Sequence, residues 1–236
     1  MKVLIVHAHP EPKSFSSALK DLAVNELQKA GHEIVLSDLY AMKFNPVASS
    51  ADFGKRVDPD YCVYALEQRN GVSSSTISAD IQQELDKLLQ CDLLVLNFPL
   101  FWFSTPAILK GWIDRVLVSG RVYGGKRFYD RGGLRGKRVL VSITLGGQQH
   151  MFAKNGVHGP LDDMLKHLLR GTLAYTGLAV LPPFVAWHVP YVTHDDRVAM
   201  LASWREHILS LNEQIPLSFP SLNDFDDLLH PLRDVE

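Results

Sequence analysis

Short, nearly unbroken apolar runs recur along the chain, each trailed by a segment of helical periodicity, and this alternation constrains the fold more than any other feature. Val3-Leu4-Ile5-Val6, Glu33-Ile34-Val35-Leu36, Leu93-Leu94-Val95-Leu96 and Val139-Leu140-Val141-Ser142-Ile143 are too short for helices and largely apolar on both faces. Strands of that kind belong in a sheet covered front and back. Between them lie helical stripes: Phe15, Leu19, Leu22, Ala23 and Leu27; Ile81, Leu85, Leu88 and Leu89; Leu109, Trp112, Ile113, Val116 and Leu117; Leu161, Met164, Leu165, Leu168 and Leu169. Gly31 and Gly177 close the first and last of these, and Thr105-Pro106 reads as a cap followed by proline at the first helical position. A final stripe begins near Asp195 and uses Val198, Leu201, Trp204, Ile208 and Leu211. The pattern predicts an α/β fold, a doubly wound parallel five-stranded sheet with helices on both faces. The fifth strand, Ala179-Val180-Leu181 and Phe184-Val185-Ala186, is interrupted by Pro182-Pro183, which places it at an edge or an irregularity.

The chain of 236 residues reads as one catalytic domain over 1–213 and a surface tail over 214–236. Residues 45 to 78, with Asn45-Pro46, Asp58-Pro59, Gly71 and Ser73-Ser74-Ser75-Thr76, show no regular pattern and form an unusually long connection. A net charge of -2 gives no support for a nucleic-acid or anionic-membrane partner. Cys62 and Cys91 form no CxxC pair and no ligand cluster, so no metal is expected. The apolar run at the start stops at His7, too short for a signal peptide, and no segment is long enough to span a membrane; cytoplasmic residence is the expectation.

Ligands of open parallel sheets bind beyond the carboxyl ends of the strands. Three segments leaving strand ends carry unusual residues: His7 to Ser17, Pro99 to Ser104, and Thr144-Leu145-Gly146-Gly147. The first runs into a helix N-terminus, where free amides and the helix dipole favour a phosphate, and Ser14, Ser16 and Ser17 add hydroxyls. It contains neither GxGxxG nor GxxxxGK[ST]. In the second, Phe101-Trp102-Phe103 suits a flat conjugated ligand. In the third, Gly146-Gly147 lets backbone approach such a ring and donate to its carbonyls.

At these segments the chain resembles the NAD(P)H:quinone oxidoreductases, the DT-diaphorase-like flavoproteins. The resemblance runs from Val3 to about Trp204 through Ser37 to Met42, Phe44-Asn45-Pro46, Phe98-Pro99-Leu100, Pro106 to Trp112, Ser142-Ile143-Thr144 and His158-Gly159. It implies a flavodoxin-like fold and an NAD(P)H dehydrogenase (quinone), a homodimer with one FAD per subunit and active sites at the subunit boundary. His9, Ser14, Phe15, Ser16 and Ala18 would hold the pyrophosphate and ribityl end. Pro99, Leu100, Trp102, Phe103, Thr144, Gly146 and Gly147 would surround the isoalloxazine, and Arg197 would help hold the adenylate half. Tyr123 would reach the substrate pocket from the partner subunit, beside Trp102 and Phe103, and His158 would supply a proton in a ping-pong reaction.

The chain departs from that family pattern at several places. Phe152 and Gly125 stand where the family has tyrosines, Val63 where it has glutamine and Asp114 where it has glutamate. Leu173 and Thr176 replace the metal-binding positions of one branch, and the long C-terminal extension has no counterpart. Two further readings remain: an FMN-dependent azo- or nitroreductase, and a regulatory flavoprotein subunit of a potassium efflux system.

Overall fold

The computed structural model describes residues 1–232. Its sheet is parallel throughout and ordered β2-β1-β3-β4-β5, with β1 at Lys2–His7, β2 at Glu33–Asp38, β3 at Leu93–Pro99, β4 at Arg138–Thr144 and β5 at Ala179–Val180. A short β6, Phe184–Ala186, pairs with the far end of β4, so Pro182-Pro183 splits the edge position into two pieces on one neighbour. A proline cannot donate to the ladder, which explains the gap.

The central strands β1, β3 and β4 are apolar through their middles and sort those side chains by parity. Val3, Ile5, Leu93, Val95 and Leu140 pack with Leu19, Ala23 and Leu27 of α1 (Phe15–Lys29) and Trp204 and Ile208 of α6 (His194–Leu209). Leu4, Val6, Leu94, Leu96, Val139 and Val141 face the other way. They meet Leu85 of α3 (Ala79–Gln90), Trp112 of α4 (Ala107–Val116) and Leu165 of α5 (Leu161–Leu168), helices that, with α2, are numbered in chain order. α5 continues into a π-helical turn over Leu169–Ala174.

Three expectations need correction. Residues 45 to 78 are not irregular throughout: α2 spans Tyr64–Ser74. Its inward face is Glu67, Gln68 and Gly71, so no apolar stripe betrays it. Glu67 accepts from the Val57 amide, and Gln68 bridges the Asp114 carbonyl and the Ser119 amide. The same connection is pinned by buried Arg115, which pairs with Asp52 at 2.8 Å and Asp80 at 2.6 Å and donates to the Asn45 carbonyl. Next, α4 starts one residue later than expected, with Pro106 in the cap position. Gly111 of that helix lies so close to Pro46 that a Cβ would sit 2.2 Å from the proline carbonyl oxygen. Finally, Val198 is exposed, and α6 is held by buried Trp204 and Ile208 with Leu201 packed beside them.

Residues 216–220 pass the β5 edge, and 222–232 lie against the loop around Lys126 and Phe128. Leu217 donates to the Val180 carbonyl at 2.8 Å, and a 3-10 turn at Leu222–Asp224 is capped by Ser221. Among the described residues, no helix is long and apolar enough to cross a membrane.

Candidate active site

The strand order reverses at β1 and β3, and the polar residues gather there. The parallel register aligns His7, Asn97 and Ser142 in one row across β1, β3 and β4. His7 Nδ1 lies 2.7 Å from Asn97 Oδ1, so that nitrogen carries the proton, and Asn97 Nδ2 donates to Ser142 Oγ at 3.1 Å. The Ser17 hydroxyl lies 3.2 Å from His7 Nε2 and 3.0 Å from Ser14 Oγ. Burial lowers the pKa of His7, keeping the imidazole neutral. This row ties the sheet to the first turn of α1. Sequence reasoning did not assign it a role, although the signal was present: each of three apolar strands carries a polar residue near its carboxyl end.

Above the row, the first segment caps α1. Ser14 Oγ accepts from the Ser17 amide, and its carbonyl accepts from Ala18. The amides of Phe15 and Ser16 find no acceptor among the described residues, as at any helix start, and are open to an anion. His9 Nδ1 accepts from the Glu11 amide at 3.0 Å, and burial lowers the pKa of His9, so its proton sits on Nε2 as a free donor.

The second segment is a tight hairpin turn. Phe101 and Ser104 exchange backbone hydrogen bonds at 3.0 Å, and both central residues, Trp102 and Phe103, have positive φ, 50° and 58°. That conformation favours Asn-Gly, and large aromatics there cost about 1–2 kcal/mol each. Trp102 is nevertheless 95% exposed, so packing within the chain does not repay the strain. Strain of this kind marks sites where position matters more than stability.

The third segment is bound to the first by a 2.7 Å contact between Thr144 Oγ1 and Ser16 Oγ. His188 fixes it from outside, its Nδ1 donating to the Gly146 carbonyl at 2.7 Å and its amide to Gly147. The Gly146 and Gly147 amides have no acceptor among the described residues. A Cβ on Gly147 would stand 2.6 Å from the Phe152 ring, so the close approach that requires glycine here is to Phe152.

The three segments enclose a cleft of about 300 Å³. His9, Ser14, Phe15, Ser16, Pro99, Leu100, Thr144 and Gly146 all line it. Phe101, Leu145, Val189 and Pro190 join them. Arg197 stands behind this wall, its guanidinium donating to the Val189 carbonyl at 3.1 Å. Ala18, Trp102, Phe103 and Gly147 flank the cleft in chain order without lining it. His158 is exposed and lies outside, in an aromatic group with Phe103 at 5.2 Å and Phe152 at 5.0 Å. Tyr123 is not brought to the cleft; its ring lies 6.0 Å from Tyr175. Two residues on, Gly125 has φ 62° in a turn closed by reciprocal bonds between Gly124 and Arg127, a backbone demand that accounts for glycine there.

The donors present suit a flavin: a helix start with free amides for a pyrophosphate, unpaired glycine amides for ring carbonyls, and aromatic walls beside both. The family model described as a flavodoxin-like fold matches residues 1–208. The ribosyldihydronicotinamide dehydrogenase [quinone] of Mus musculus is 42% identical over 217 residues, spanning 92% of this chain and 94% of that protein. NAD(P)H dehydrogenase [quinone] 1 of Cavia porcellus is 38% identical over 226 residues, spanning 95% and 82%. Among solved structures, a putative quinone reductase from Klebsiella pneumoniae superposes with a TM-score of 0.94 at 37% identity, covering 98% of this chain and 94% of that one. With the strand order, the strand-end cleft and relatives matched over nearly their whole length, the chain belongs to the NAD(P)H:quinone oxidoreductase family of flavodoxin-like proteins.

Proposed function

We propose that this protein is a flavin-dependent oxidoreductase that takes hydride from NAD(P)H and delivers it to quinones, with FAD as the resident flavin and a homodimer as the working unit. The observation that carries this reading is the strained Trp102-Phe103 turn, exposed beside a cleft whose rim carries unpaired backbone amides. Trp102, 95% exposed, recovers none of that strain by packing within the chain, so a flat ligand stacked at the cleft mouth is what would repay it.

The bound flavin would supply the chemistry of accepting hydride and giving it up again. The Phe15 and Ser16 amides, the Ser14 and Ser16 hydroxyls and His9 Nε2 would bind the phosphate-bearing part. Pro99, Leu100 and Thr144 would orient the ring, while the Gly146 and Gly147 amides stabilise negative charge developing at its edge. Trp102 and Phe103 would exclude water from the stacking face. His158 would hold the proton that the reduction requires and release it to the acceptor, acting alone because Phe152 has no hydroxyl with which to relay it. Arg197 would act through Val189, keeping the cleft wall in place beside the adenylate half. Donor and acceptor would use one face in turn, a ping-pong scheme, with Tyr123 of the partner subunit closing the acceptor side.

Purified protein should be yellow, and heat should release FAD, separable from FMN by chromatography. Anaerobic NADH or NADPH should bleach it and a quinone should restore the colour. Protein that stays colourless after FAD addition would end the proposal; released FMN would transfer it to the azoreductase-like reading. Lines through a common point in double-reciprocal plots, in place of parallel ones, would remove the ping-pong scheme.

A further inference from the structure

We propose that the C-terminal segment 217–232 is a positioning element for the acceptor site. It fixes the 119–131 loop through Asp130 and Lys126 and thereby sets where Tyr123 stands. The inference rests on the reading above that Tyr123 borders the acceptor.

The loop and the segment meet at several polar points. The Ser221 hydroxyl donates to Asp130 Oδ2 at 2.6 Å, and the Leu222 amide donates to Asp130 Oδ1 at 3.2 Å, so one carboxylate grips the start of the 3-10 turn with both oxygens. Arg131 donates to Asn223 Oδ1 at 3.1 Å, and Lys126 pairs with Asp227 at 2.7 Å. Phe128, Leu222, Phe225 and Leu229 border an open cavity of about 390 Å³ between loop and segment. Directional bonds fix how the segment seats, because they hold only at set distances and angles, whereas apolar contact tolerates several arrangements.

From this contact a line of aromatic rings leads to Tyr123. Phe128 stacks on Tyr175 at 5.5 Å with the planes 7° apart, and Tyr175 lies 6.0 Å from Tyr123. Within the loop, the Tyr123 carbonyl accepts from Gly120 at 2.7 Å, and Arg127 donates to the Gly120 and Arg121 carbonyls. The loop is thus internally braced, so a shift at Asp130 is passed to Tyr123 instead of dissipating.

The test compares flavin-loaded wild type, Asp130→Ala and Lys126→Ala with a compact and a bulky quinone. Asp130→Ala should raise KM for the bulky acceptor by up to about tenfold, the limit if all of the lost charge-assisted contact is felt at Tyr123. Lys126→Ala should give a smaller change of the same sign. Flavin content and the rate of reduction by NAD(P)H should stay as in the wild type, a split that mere destabilisation would not produce. In a Tyr123→Ala background the Asp130→Ala effect should vanish. Acceptor KM within twofold of wild type in an active enzyme, or an undiminished effect without Tyr123, overturns the proposal alone. A wild type that reduces no quinone removes the underlying reading and the proposal together.

Discussion

Replacing Asn97 by leucine tests whether the polar row under the cleft holds the first segment to the sheet. Asn97 is 1% exposed, and its amide serves two neighbours, His7 at 2.7 Å and Ser142 at 3.1 Å. Leucine has similar volume and offers neither an acceptor nor a donor. The His7 Nδ1–H and the Ser142 hydroxyl would then be buried without partners, at about 1–3 kcal/mol each. The added apolar side chain returns about 1–2 kcal/mol. The net loss centres on about 2.5 kcal/mol, and at roughly 2–4 °C per kcal/mol for a chain of this size the melting temperature should fall by about 5–10 °C. Circular dichroism melts of flavin-free protein at pH 7.5 measure it. A His7→Leu, Asn97→Leu double variant should lose less than the sum of the singles, because no orphaned imidazole remains. A single variant melting within about 2 °C of the wild type would refute the reasoning, since the row would then add nothing to the fold.

The remaining predictions concern the cleft and the histidines. Gly147→Ala should displace Phe152, whose ring would lie 2.6 Å from the new methyl, and cost about 1–3 kcal/mol; Phe152→Leu in the same chain should recover part of it, measured by urea midpoint. Trp102→Ala should depress quinone reduction far more than flavin retention and leave flavin-free stability unharmed, because the indole is 95% exposed; equal losses would make the turn scaffolding. His158→Gln should slow stopped-flow flavin reduction or reoxidation, and unchanged rates in both would exclude it as the proton source. Burial lowers the pKa of His7, His9 and His207, whereas the unfolded chain takes up those protons near pH 6.5. Their contribution to stability should be complete above pH 6.5 and be lost as the pH falls from there through the folded values, so the urea midpoint should drop between pH 7.5 and 5.5. A flat midpoint would show that these rings are solvated.

Periodicity is a local property, and what depends on it could be read without coordinates. The runs at Val3, Glu33, Leu93 and Val139 became parallel strands, and the split at Pro182-Pro183 appeared as two pieces on one edge. Of the candidate residues, those that follow directly on a strand end, from His9 to Ser16 and at Pro99, Leu100, Thr144 and Gly146, reached the cleft because a parallel sheet puts all its carboxyl ends on one side. α2 escaped notice because its buried face is polar and finds its partners far away in sequence, at Val57, Asp114 and Ser119.

Some features exist only once the strands are in register. His7, Asn97 and Ser142 are ordinary polar residues until hydrogen bonding sets them side by side across three strands. The role of Arg197 behind Val189, the demand of the Phe152 ring for glycine at 147, and the grip of Ser221 on Asp130 likewise join residues that chain order keeps apart. The one-dimensional pattern determined the strands, the helices with an apolar stripe and which loops would meet, because those follow from short-range spacing and the common direction of parallel strands. Distances, tautomers and strain at the cleft were decided by tertiary contact, since they depend on which side chains packing brings within reach.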